Sequence, residues 1–96
     1  MGTVVEGDFE WDAAKAASNQ AKHGVSFEEA VTALMDPDAL FLPDDLDPDR
    51  LIAIGASAKA RVLFVVQVVR GARDRIISAR PATANEQATY SQRSCP

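Results

Sequence analysis

The chain of 96 residues carries one cysteine, one histidine, one tryptophan and one tyrosine. Cys95 has no second cysteine with which to form an internal disulfide, and no Cys/His cluster offers zinc ligands. The longest apolar run, Val62 to Val69, is interrupted by Gln67. It falls far short of the roughly 20 residues that span a membrane. The opening stretch MGTVVEGDFEWD is acidic and lacks the apolar centre of a secretory signal. These absences predict a single cytoplasmic domain over 1–96 that uses neither a cofactor nor a structural metal. Positive charge is also scarce, with ten Lys/Arg against fourteen Asp/Glu and a net charge of −4. An acidic total argues against non-specific nucleic-acid binding. The charge is uneven, however. Residues 1–50 hold three Lys/Arg and twelve Asp/Glu, a net of −9, and residues 51–96 hold seven and two, a net of +5.

A short strand is expected at Phe9 to Trp11. Asp12 then caps a helix through "AAKAASNQAK", and Gly24 ends it in the left-handed conformation. Ala13, Ala16, Ala17 and Ala21 give this helix small side chains with which to approach a sheet. Lys22 and His23 lie in its last turn, where positive charge suits the helix dipole. Ser26 with Glu29 has capping-box spacing, and Phe27, Ala30, Val31 and Leu34 repeat as an amphipathic helix does. Asp36-Pro37 stops that second helix. A short strand at Ala39 to Leu42 and an acidic loop follow. The loop's aspartates lack the spacing of a calcium site.

Three strands come next: "RLIAIGAS", the β-branched and aromatic "RVLFVVQVVR", and "RIISAR", the last two joined by a tight turn. Thr83 and Glu86 form a second capping-box pair opening a last helix whose apolar face is thin. The class is α+β, a small antiparallel β-sheet flanked by two N-terminal helices and a C-terminal helix. Strand alternation places Arg61 and Gln67 on one face of the central strand. With an even hairpin loop, Ser78 and Arg80 join them, leaving Val62, Phe64, Val66 and Val68 as the uniform apolar face for the helices. A bulge or an odd loop would break that assignment. Arg70 and Arg75 fall near the hairpin. Arginine forks on a sheet face suit phosphate oxygens, or pair with the carboxylates of the first half.

"FEWD", "KHGVSFEEA", the following "DP", "IG", "RVLFVV", and "RIISAR" trailed by Ala82-Thr83, Glu86 and Tyr90 occur in this order and spacing. Together they resemble the BrnT family of ribonuclease toxins from type II toxin–antitoxin systems, from Phe9 to about Tyr90. The resemblance implies a RelE-like fold and an endoribonuclease that cleaves RNA without a metal and so inhibits translation. It implies neutralisation by a BrnA-like antitoxin with a ribbon-helix-helix DNA-binding part. It further implies a hetero-oligomer of at least two toxins and two antitoxins that reaches operator DNA only through the antitoxin.

Metal-free RNA cleavage needs a base near the 2′-hydroxyl, an acid near the leaving oxygen and positive charge at the phosphorus. Histidine is the side chain whose ordinary titration lies near neutrality. His23 is therefore the first acid–base candidate that the resemblance implies. Arg61, Arg70 and Arg80 are its candidates for clamping the phosphate, and Lys15, Lys22, Arg75 and Tyr90 for RNA contact. Lys22 and His23 lie seven and eight residues beyond Lys15 and so share one side of the first helix with it. The chain departs from the family's common pattern at Gln67 to Val69, where polar or acidic residues are frequent, and at Pro81, where a basic residue is. An alternative function is therefore a non-catalytic, antitoxin-binding module of an autorepressor complex. A stand-alone helix-turn-helix is disfavoured because the second helix is acidic.

Overall fold

The computed structural model describes residues 2–69 and 71–94. Its elements run β1 (Thr3–Glu6), β2 (Phe9–Asp12), α1 (Ala13–His23), α2 (Phe27–Leu34), β3 (Leu40–Pro43), β4 (Arg50–Ala56), β5 (Val62–Val68), β6 (Asp74–Pro81) and α3 (Ala84–Ser94). One six-stranded sheet has the order β1-β2-β6-β5-β4-β3. Its pairs are antiparallel except β2 with β6, which run parallel at Phe9↔Asp74 and Glu10↔Arg75. The α+β class and largely antiparallel sheet are as expected. β1 is an addition, and no alternation in its exposed sequence announces it.

Local chemistry sets the helix ends. The Asp12 carboxylate accepts the Lys15 N–H at 2.9 Å, and Gly24 adopts φ 69° while its N–H reaches the Gln20 carbonyl at 2.9 Å. Ser26 Oγ accepts the Glu29 N–H at 3.0 Å. The reciprocal half of the expected box is not made, because the Glu29 carboxylate turns inward to Ser57 and Arg61. At α3 the box is complete: Thr83 N–H reaches Glu86 Oε1 at 2.8 Å and Glu86 N–H reaches Thr83 Oγ1 at 3.2 Å.

The core lies between one sheet face and α1–α2. Trp11, Val25, Phe27, Ala30, Ala33 and Leu34 pack on Ala53, Leu63, Val65, Ile76 and Ala79. Trp11 and Phe27 meet edge to face at 6.0 Å between ring centroids. α2 lies so close to β4 that a Cβ on Gly55 would run into the Ala33 carbonyl.

This core reverses the expected faces. The helices cover Leu63, Val65 and Gln67, and Val62, Phe64, Val66 and Val68 form the other, half-buried face. The cause is a bulge in β6. Val68 pairs with Arg75 and Gln67 with Ile76, but Val66 pairs with Ser78, so Ile77 is the extra residue. Beyond it the side chains swap sides. Ala79 joins the core, and Ser78 and Arg80 stand beside Val66 and Phe64 rather than beside Gln67. The hairpin loop is also longer than two or four residues, since residues 69 to 74 lie between the paired Val68 and Arg75. Among the described residues no helix is long and apolar enough to cross a membrane.

Candidate functional site

α1 lies along β6 where β2 no longer pairs with it. The alanines expected to face the sheet divide: Ala13 and Ala16 are half-buried, and Ala17 and Ala21 are exposed. The deep contact is Asn19, 8% exposed. Its Nδ2 donates to the Ala79 carbonyl at 2.8 Å and to the Val25 carbonyl at 3.0 Å, and its Oδ1 accepts the Ala79 N–H at 3.1 Å. One side-chain amide thus satisfies both backbone groups of Ala79 that a neighbouring strand would otherwise take.

Around this anchor lies a cleft of about 250 Å³ lined by Lys15, Ser18, Asn19, Lys22, His23, Ile77 and Ser78. His23 is four residues beyond Asn19 and therefore shares its side of the helix, half-buried. Lys15 and Lys22 are exposed and stand over the cleft at a seven-residue interval. Two ammonium groups, an imidazole and two hydroxyls line it, and no carboxylate does. Such a wall favours an anion and supplies both hydrogen-bond donors and a group able to carry a proton.

The arginines are arranged differently. Arg61 Nε and Nη2 grip the two oxygens of Glu29 at 2.7 and 2.6 Å, and Nη2 also donates to the Gly24 carbonyl at 2.8 Å. The Glu29 side chain is 3% exposed, and Ser57 Oγ donates to it at 2.7 Å. The Arg61 bond holds the Glu29 carboxyl below its ordinary range against the opposing effect of burial, with help from Ser57. The same bond raises Arg61. Arg61 is thus a tie between α2 and the turn that follows His23.

Arg75 Nη1 binds Glu10 at 2.7 Å. Arg80 binds both oxygens of Glu86 at 2.8 and 2.9 Å, with its guanidinium carbon 4.1 Å from the centroid of the Phe64 ring. Glu86 is lowered and Arg80 raised by that contact. The Tyr90 hydroxyl donates to Asp36 Oδ2, which also accepts the Ala56 N–H at 2.8 Å. Burial pushes the Asp36 carboxyl up, but the bonds from Tyr90, Ala56 and Asp38 outweigh it and leave it lowered. Arg70 and Cys95 lie outside the described residues.

The structure therefore gathers His23, Lys15 and Lys22 in one cleft. It places Arg61 behind them, and Arg75, Arg80 and Tyr90 each on a carboxylate elsewhere. Two residues that matter escape a reading of the sequence. Asn19 is flagged only by its four-residue interval from His23, and Ser78 is brought to the cleft by the bulge.

The family model for the ribonuclease toxin BrnT of type II toxin–antitoxin systems matches residues 11–86. Among solved structures, the chain is similar to the Brucella abortus ribonuclease toxin BrnT, with 32% identity, a TM-score of 0.62, and coverage of 76% of this chain and 92% of that one. None of the curated proteins compared matches it. By the extent of the family match and the shared fold, the chain belongs to the BrnT family of ribonuclease toxins of type II toxin–antitoxin systems.

Proposed function

We propose that this member cleaves RNA at the α1–β6 cleft without a metal, by attack of a ribose 2′-hydroxyl on the adjacent phosphorus. The carrying observation is the convergence of Lys15, Lys22 and His23 on one concavity free of carboxylates. In this reading Lys15 and Lys22 hold the phosphate and neutralise the charge that grows on its oxygens. His23 takes the proton of the 2′-hydroxyl as the oxygen–phosphorus bond forms. An ammonium group returns a proton to the departing 5′-oxygen. The products are a 2′,3′-cyclic phosphate end and a 5′-hydroxyl end. Arg61 acts behind them by holding the Gly24 carbonyl, which fixes the turn carrying His23. Arg75, Arg80 and Tyr90 have no part in the step, each being held on a carboxylate outside the cleft, Glu10, Glu86 and Asp36 respectively.

The system type implies a protein antitoxin. We place its action in the cytoplasm, as neutralisation of this toxin by a BrnA-like ribbon-helix-helix protein in a complex of at least two copies of each. A second reading, a non-catalytic module of an autorepressor complex, draws support from the neutralised arginines, which leave few cations for RNA. Cleavage of a naked labelled RNA by the purified protein in EDTA separates the two. Activity that survives EDTA and falls by about 10²- to 10⁴-fold in His23→Ala supports the enzyme. No cleavage by the folded wild-type chain, with or without ribosomes, supports the module.

A further inference from the structure

We infer that the cross-strand row Leu42–Ile52–Val66–Ser78, on the sheet face opposite α1 and α2, is the seat of the antitoxin, which docks an apolar stripe along it and sets a carboxylate into the Lys15–Lys22–His23 cleft. The four residues are register partners across β3, β4, β5 and β6. With strands about 4.8 Å apart, the row is on the order of 15 Å long. α1 and α2 pack on the opposite face, and Leu42 is 37% exposed while Ile52 and Val66 are half-buried. Ser78 ends the row and also lines the cleft, so the bulge at Ile77 joins an apolar track to the cationic concavity.

The charge along this track selects the occupant. At the Leu42 end, β3 runs into the loop that carries Asp44 and Asp45, with Asp47 beyond them paired to Arg50 at 3.7 Å. At the Ser78 end stand Lys15, Lys22 and His23. A partner segment that is basic at one end, apolar along its length and acidic at the other fits in one direction only. RNA does not fit the row, because its phosphates would meet the aspartates and its length offers no apolar stripe. The inference rests on the proposed cleft for its consequence, since the carboxylate would occupy the place assigned to the phosphate.

The test is the affinity of the purified antitoxin encoded with this chain for Leu42→Asp, Val66→Asp and Lys22→Glu, with Met35→Asp, 68% exposed and off the row, as control. Thermal melts establish that each variant folds. The expected result is at least a tenfold loss of affinity in Leu42→Asp, Val66→Asp and Lys22→Glu and none in Met35→Asp, with RNA cleavage by Leu42→Asp unchanged. Unchanged affinity in Leu42→Asp, or in Lys22→Glu, overturns the inference. Self-association of the wild-type chain that Leu42→Asp abolishes makes a second copy the occupant and overturns it too. If the affinities fall as expected and the wild-type chain cleaves no RNA, the docking row stands and the ribonuclease reading fails.

Discussion

The two edges of β6 carry positive charge in opposite ways. On the α1 side, Lys15, Lys22 and His23 surround a cleft without a carboxylate. On the face opposite α1 and α2, Arg75 and Arg80 each lie within 2.8 Å of a carboxylate oxygen, the second from α3. By residue count the second half of the chain is the basic one, at +5, and the first half the acidic one, at −9. The two lysines that line the cleft nevertheless come from the acidic half. Net charge over a segment says little about local potential when carboxylates neutralise each cation in turn. What decides is whether the fold brings an anion to the cation, and here α1 sets two lysines on a cleft whose lining holds no carboxylate.

The largest effect expected from breaking this contrast is catalytic. His23→Ala should lower RNA cleavage by about 10²- to 10⁴-fold while leaving the melting temperature within a degree or two, since His23 is only half-buried. Next is the tie behind the cleft. Glu29→Ala leaves Arg61 without its counter-ion and should cost about 2–3 kcal/mol, less than for a fully buried pair because the Arg61 side chain is 37% exposed. Denaturant unfolding would measure it. Asn19→Ala strips the N–H and C=O of Ala79 of their partner and should cost about 2 kcal/mol. It should also raise hydrogen exchange at Ala79.

The pH dependence of stability is a smaller effect. Glu29 and Glu86 titrate below their ordinary 4.5, and Asp36 below its ordinary 3.8. Protons therefore bind the unfolded chain more readily than the folded one. The stability these groups lend is complete above the ordinary carboxylate range and is lost as pH falls through it and below. Melting temperature should drop steeply below about pH 4.5, and less steeply in Glu29→Gln. Smallest is Arg80→Gln, which should cost about 1 kcal/mol and change cleavage by less than about threefold.

Much of the local structure was legible in the residues because local chemistry decides it. Asp12, Gly24, Ser26 and Thr83 each end or open a helix by a bond within a few residues. The grouping of Lys15, Lys22 and His23 follows from helical periodicity alone. What was not legible depends on partners far along the chain. The bulge at Ile77 reverses every side chain after it, and nothing in "RIISAR" marks which residue is extra. Glu29 fits a capping box, but Arg61, thirty-two positions later, draws its carboxylate away. Asn19 reads as an ordinary polar helix residue until β6, sixty positions on, presents the backbone of Ala79.

The decisive measurement removes two positive charges in each of two ways. RNA cleavage in EDTA would be compared for Lys15→Ala/Lys22→Ala and for Arg75→Gln/Arg80→Gln, which alter net charge equally. The expected result is a loss of at least a hundredfold in the lysine pair and less than fivefold in the arginine pair. Equal losses in the two, or a larger loss in the arginine pair, would contradict the assignment of the α1–β6 cleft as the place where RNA is held and cut.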